Sequence, residues 1–177
     1  MKRRALLQSI APLFAIALLP GCAQSAPPGS AAASAGDAGI TPLKKSDDEW
    51  KQILEPAAYA VLFEEDTERA GTSPLNAEHR DGTFVCAACY LPLFESKAKF
   101  ESGTGWPSFT QPIAGHIDTK RDFKLVFPRT EYHCVRCGGH QGHLFDDGPQ
   151  PRGERWCNNG LALNFVVAGE PLSALRS

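Results

Sequence analysis

The sequence predicts a mainly antiparallel β domain with a helical lead-in and a four-cysteine metal knot. Three observations predict it. Short runs rich in β-branched and aromatic residues, such as "GTFVCAAC", "FKLVF", "EYHCV" and "LALNFVV", alternate with Gly- and Pro-rich punctuation such as "GTGWPSF", "GGHQG" and "DDGPQPRG". Two helix-start signals precede them. Four of the 6 cysteines fall into two C-x-x-C pairs.

The chain ahead of that domain reads as targeting sequence. "MKRR" is a positive n-region, "ALLQSIAPLFAIALL" an apolar h-region, and "LPGC" closes the run, so residues 1–21 are expected to be a signal peptide. Leu19-Pro20-Gly21-Cys22 resembles a bacterial lipobox, which makes Cys22 the expected site of lipidation. The expected location is then extracytoplasmic, on the periplasmic side, membrane-anchored as a lipoprotein. The alternative is a plain secretory signal cleaved near "AQSA", leaving a soluble periplasmic or secreted protein. Arg3-Arg4 leaves twin-arginine and general export both open. Residues 22–40 are almost entirely Ala, Ser, Gly and Pro, a composition with little to bury, and read as a flexible tether.

The domain itself is expected over residues 41–168. Ser46 is an N-cap with acidic residues behind it in "SDDEWKQIL", and Pro56 opens a second short helix in "PAAYAVLFEED". The strand-like runs follow. In "LALNFVV", Leu161, Leu163, Phe165 and Val167 alternate with Ala162, Asn164 and Val166. Residues 169–177 read as a tail. The net charge of −2 carries no basic stripe and argues against a nucleic-acid partner.

Cys86/Cys89 and Cys134/Cys137 are spaced as two knuckles, each turning two thiolates to one side, and together they make a tetrahedral set suited to structural Zn²⁺. Gly138 after the second pair helps the backbone curl; the first pair lacks a glycine there. Iron, a pair of disulfides and a thioredoxin-like redox pair are the alternatives. A closed thiolate site offers no open coordination position, so chemistry must come from elsewhere.

Cys157, in "GERWCNNG", is the thiol left over. Most lone cysteines are inert packing. Here Arg155 lies two residues away, on the same face if the segment is a strand, and a guanidinium favours the thiolate. Asn159 follows at the same spacing and offers an amide. His140 and His143 in "GGHQGHLFDDGP" read as a general acid pair, with ordinary loop histidines or a His-based metal site needing a third ligand as alternatives. Trp106 and Phe109 in "ESGTGWPSF" are core plugs or the wall of an apolar pocket.

"FVCAACYLPLF", "KFESGTGWPSF" and "CVRCGGHQGHLFDDGPQPRGERWCNNGLALNF", in this order, resemble the methionine sulfoxide reductase B family from about Thr41 to Val167. The resemblance implies a fold of two antiparallel sheets, with a structural zinc on four cysteines often present. It implies reduction of the R epimer of methionine sulfoxide, mostly in oxidised proteins. Cys157 would attack the sulfoxide sulfur and end as a sulfenic acid. His140, His143 and Asn159 would surround the oxygen, which must be protonated to leave. Arg155 would lower the Cys157 pKa, and Trp106 with Phe145 would cradle the methyl group.

The chain departs from the family pattern at four places. Thr104 stands where many members carry a resolving cysteine, so a one-cysteine enzyme recycled by an external thiol, thioredoxin-like or other, is expected. Trp156 replaces the usual Tyr. Asn158 and Gly160 turn the usual "INS" into "NNG", which is expected to make the wall of the site more polar and less filled. Two other readings compete with the reductase. One is a membrane-tethered, zinc-ribbon-like protein-binding module without catalysis; the other is a thiol peroxidase.

Overall fold

Ser46 starts a helix as its sequence context requires. Its hydroxyl accepts from the Glu49 N–H, and the Glu49 carboxylate accepts the Ser46 N–H at 2.8 Å. Such a reciprocal cap stabilises by about 1 kcal/mol. The structure, a computed structural model, describes residues 39–123 and 128–177. The leader, most of the tether and Cys22 lie outside the described residues, as does nearly all of the expected "FKLVF" strand. Helix α1 (Asp47–Ile53) is followed at once by α2 (Pro56–Phe63), with Pro56 in the first turn, where its missing N–H is harmless. None of the described helices is long and apolar enough to cross a membrane.

Nine strands are described: β1 (Gly82–Cys86), β2 (Pro92–Glu95), β3 (Lys99–Phe100), β4 (Ser108–Phe109), β5 (Ile117–Asp122), β6 (Arg129–Cys134), β7 (His140–Phe145), β8 (Arg155–Asn158) and β9 (Leu163–Val167). They form two antiparallel sheets, a three-stranded one in the order β2-β1-β9 and a six-stranded one in the order β3-β4-β8-β7-β6-β5. Aromatic rings bind one sheet to the other. Phe94 of β2 stacks on Phe109 of β4 with centroids 4.1 Å apart, and Phe84 of β1 meets Phe109 edge-on at 4.9 Å. Tyr132 and Trp156 extend the cluster beneath β6 and β8. Each fully buried ring of this size removes enough apolar surface from water to contribute about 2–3 kcal/mol. Phe109, which is wholly buried, is therefore a core plug and not a pocket wall.

Two segments differ from their sequence reading. "GGHQG" reads as a loop, yet Gly142 lies inside the central strand β7. A Cβ on Gly142 would stand 1.9 Å from the Cys157 carbonyl oxygen, so the close approach of β8 selects glycine there. The alternation of "LALNFVV" begins only at Leu163. Residues Gly160–Ala162 instead make a single 3-10 turn, because the Glu68 carboxylate accepts the N–H groups of Gly160 and Leu161.

Candidate active site

Register places the chemistry. His143 on β7 lies opposite Cys157 on β8, Glu131 on β6 opposite His143, and Ser108 on β4 opposite Cys157. Residues directly opposite share a face, so Glu131, His143, Cys157 and Ser108 make one row across the six-stranded sheet. Side chains two residues along each strand make the next row on that face: Asp122, Arg129, Phe145 and Arg155. Above the rows is a cavity of about 110 Å³ lined by Thr67, Trp106, Arg129, Gly142, His143, Phe145, Cys157, Asn158 and Asn159.

Cys157 is partly exposed in that cavity. Burial pushes its thiol above the ordinary cysteine value. The Arg155 charge and hydrogen bonds from Thr104, Arg155 and Ser108 pull the other way without winning. Arg155 is itself bound by both oxygens of Asp147, at 2.7 and 2.9 Å, and lies over the Phe145 ring at 4.2 Å. Its charge is thus partly neutralised by a carboxylate that it holds below the usual range. The hydroxyls of Ser102, Thr104 and Ser108 form a linked set next to the thiol, with Ser102 2.8 Å from each of the other two.

His143 presents Nε2 to Asp122 Oδ2 at 2.9 Å, and Asp122 also accepts from Arg129 at 2.6 Å. Burial lowers the His143 pKa, and the Asp122 bond opposes that. His140 differs from its sequence reading. It is buried behind His143, with rings 5.4 Å apart, and does not line the cavity. Its Nδ1 lies 2.5 Å from Glu131, and burial lowers its pKa to about 4, so the ring is neutral near pH 7. Asn159 lines the cavity, but both ends of its amide are engaged: Oδ1 accepts from the Glu68 N–H and Nδ2 donates to the Gln141 carbonyl.

Trp106 is held by an indole N–H bond to the Glu68 carbonyl, 3.1 Å long. Its loop is fixed by Gly71 N–H and Asn76 amide bonds to the Gly105 carbonyl. Glu68 is therefore a hub that composition and spacing do not reveal. It bonds Trp106, Asn159, Gly160 and Leu161 from one buried position. Asp122, Arg129 and Glu131 were equally hidden, because only strand register carries them to the thiol's face.

The four paired cysteines converge as the knuckle spacing predicts. All four sulfurs lie within 4.8 Å of one another, with Cys86–Cys137 at 3.6 Å and Cys89–Cys134 at 3.5 Å. A Zn–S bond of ~2.3 Å implies tetrahedral edges of about 3.8 Å, so the set fits zinc. The distances are far beyond the ~2.05 Å of a disulfide, and all described cysteines are free. Hydrogen bonds to neighbouring sulfurs and burial push Cys86 and Cys137 up while Cys89 is pulled down, so a dication is needed for all four to be thiolates together. The residue after each second cysteine is left-handed, Gly138 at φ 74° and Tyr90 at φ 64°. Tyr90, which lacks glycine's freedom, is held by Arg176, whose guanidinium bonds the phenol oxygen and covers the ring.

Comparison with known proteins gives one answer. Residues 54–167 match the SelR domain. A protein named peptide methionine sulfoxide reductase MsrB from Bradyrhizobium diazoefficiens is 52% identical over 122 residues, which are 68% of this chain and 88% of that protein. Proteins of the same name from Leptospira interrogans and Pseudomonas entomophila are 48% and 47% identical, each over 70% of this chain and 95% of the relative.

This chain belongs to the MsrB family.

The MsrB match begins just after α1 and closes with β9, so it spans both sheets, the cavity and the four-cysteine set. Within that frame two departures of this chain are resolved by its packing. Asn158 lines the cavity, but its amide is engaged elsewhere. It accepts from the Tyr132 hydroxyl at 2.8 Å and donates to the Asn159 carbonyl, on the core side of β8. Nor does Gly160 leave space, since a Cβ there would stand 1.9 Å from Ser73 Oγ. Ser73 supplies the bulk that residue 160 lacks.

Proposed function

We propose that this protein reduces the R epimer of methionine sulfoxide to methionine, with Cys157 as the nucleophile and an external thiol as the final reductant. The observation that carries the reading is the placement of Cys157 at the cavity between Trp106, Phe145 and His143. Family membership supports the same activity.

The steps follow from the groups present. The cavity takes the CH₃–S(=O)–CH₂ end of the side chain, with the methyl group between Trp106 and Phe145. The Cys157 thiolate attacks the sulfoxide sulfur, and a proton from His143 goes to the oxygen, which is too basic to be transferred bare. The protonated oxygen then moves from the substrate sulfur to the Cys157 sulfur as the new sulfur–sulfur bond breaks and its electron pair stays on the departing methionine, so Cys157 ends as a sulfenic acid, the sulfoxide reduced by two electrons and the cysteine oxidised by two. Two equivalents of external thiol then return Cys157 to its thiol, releasing water and a disulfide. Thr104 supports the external route, since it stands beside Cys157 where a resolving cysteine would be. A methyl wall, an oxygen-side acid and an attacking sulfur address three substituents of a chiral centre, which favours one epimer. Zinc, held by Cys86, Cys89, Cys134 and Cys137, supplies a structural cross-link and no reactive position.

The test supplies peptides of methionine R- and S-sulfoxide, with dithiothreitol, to wild type and Cys157→Ser. Reduction of the R peptide alone, by wild type alone, is expected. Equal turnover of both epimers, or turnover by the serine variant, overturns the assignment. An intrachain disulfide to Cys157 after a single turnover overturns the one-cysteine route.

A further inference from the structure

Glu131, His133 and His140 bring three ligand atoms within 4.8 Å of one another, separate from the four sulfurs. His133 on β6 lies opposite His140 on β7, and Glu131 is two residues before His133. The ladder is irregular between Tyr132 and His133, which turns both rings toward the same carboxylate. Glu131 Oε1 is the meeting point, 2.7 Å from His133 Nε2 and 2.5 Å from His140 Nδ1. Two imidazole nitrogens thus meet at one buried oxygen.

We propose that Glu131, His133 and His140 form a second cation site, which takes a first-row divalent ion such as zinc, nickel or copper. Two imidazoles and a carboxylate are the donor set those ions favour. Metal bonds of ~2.0–2.1 Å require ligand spacings of roughly 3.3 Å, so the two short N···O contacts open by less than about 1 Å. His140 is 1% exposed, and its Nε2 is buried with no hydrogen-bond partner among the described residues. That bare nitrogen can take the proton Nδ1 gives up on ligation, so His140 binds the ion with no net proton change. Lys120 lies toward the other carboxylate oxygen, Oε2, at 3.4 Å and is also tied to Glu65. Oε1 is therefore left to the imidazoles. The His133 side chain, 14% exposed, is the path by which an ion enters and a water completes the coordination.

The experiment uses the zinc-loaded protein carrying Cys157→Ser, so that the reactive thiol is not a ligand. Zinc or cobalt alone is titrated in, and bound metal is counted after gel filtration. Two equivalents are expected, and the second cobalt adds no sulfur-to-cobalt charge-transfer absorption. His133→Arg, which keeps a hydrogen-bond donor beside Glu131, and His133→Gln are each expected to lose the second equivalent and keep the first. A single equivalent before substitution, or a second equivalent that survives both substitutions, overturns the proposal.

Discussion

At the scale of the residue, the proposed reaction depends on two protons held in the unfavourable sense. Burial raises the Cys157 thiol above its ordinary value and lowers the His143 imidazole below its own. The thiolate with a protonated histidine is then a minor species, and its population is flat between the two pKa values and falls outside them. Under the proposed mechanism the acid limb of the kcat/KM profile is expected to report His143 and the alkaline limb Cys157. Arg155→Met removes the largest downward pull on the thiol, so the alkaline limb moves to higher pH. Asp122→Asn removes the main upward pull on His143, so the acid limb moves to lower pH. Both variants lower the plateau, by about tenfold for every pH unit that the limb moves. A profile that narrows in either variant contradicts the assignment. Cys157 and Arg155 were legible in the sequence because a strand puts i and i+2 on one face. Asp122 was not, since nothing in "IDTKRDF" marks one acid among its polar neighbours.

Among the elements, the contact of β7 with β8 fixes the distance from histidine to thiol. Gly142 permits it, and Gly142→Ala forces a methyl group against the Cys157 carbonyl. Overpacking against backbone that cannot move away destabilises by about 3 kcal/mol or more. A lowered denaturation midpoint with unchanged m-value is the expected reading. The same glycine made β7 read as a loop, because composition counts Gly as a breaker and cannot see a neighbouring strand. The 3-10 turn after β8 was hidden for a related reason. Its cap, Glu68, lies 92 residues from Gly160 in sequence. Glu68→Gln replaces one acceptor with a donor facing backbone N–H groups. We expect a loss of about 2–3 kcal/mol and a raised KM, read by urea denaturation and steady-state kinetics, as the turn after β8 loosens and the Glu68 backbone groups that hold Trp106 and Asn159 lose their fixed position.

For the molecule as a whole, the two sheets meet through an aromatic layer and through the four-cysteine set. Cys86 ends β1 of the small sheet and Cys134 ends β6 of the large one, so a metal there fastens one sheet to the other. Cys134→Ser, or prolonged chelation, is expected to lower Tm by about 10 °C or more, since about 1 kcal/mol corresponds to ~3 °C at this size. An unchanged Tm would remove the structural role of the metal. This architecture was legible to the extent that knuckle spacing and strand runs are local signals. The order of strands in the large sheet was not, because it joins β4 to β8 across the intervening chain. The narrowness of the cavity, about 110 Å³, has a consequence beyond this protein. Under the proposed activity it admits one extended side-chain end and no folded backbone around it. A methionine oxidised inside another protein's core then reaches Cys157 only when that protein locally opens. The repair rate of such a client would report the client's own opening equilibrium, and destabilised proteins would be mended first.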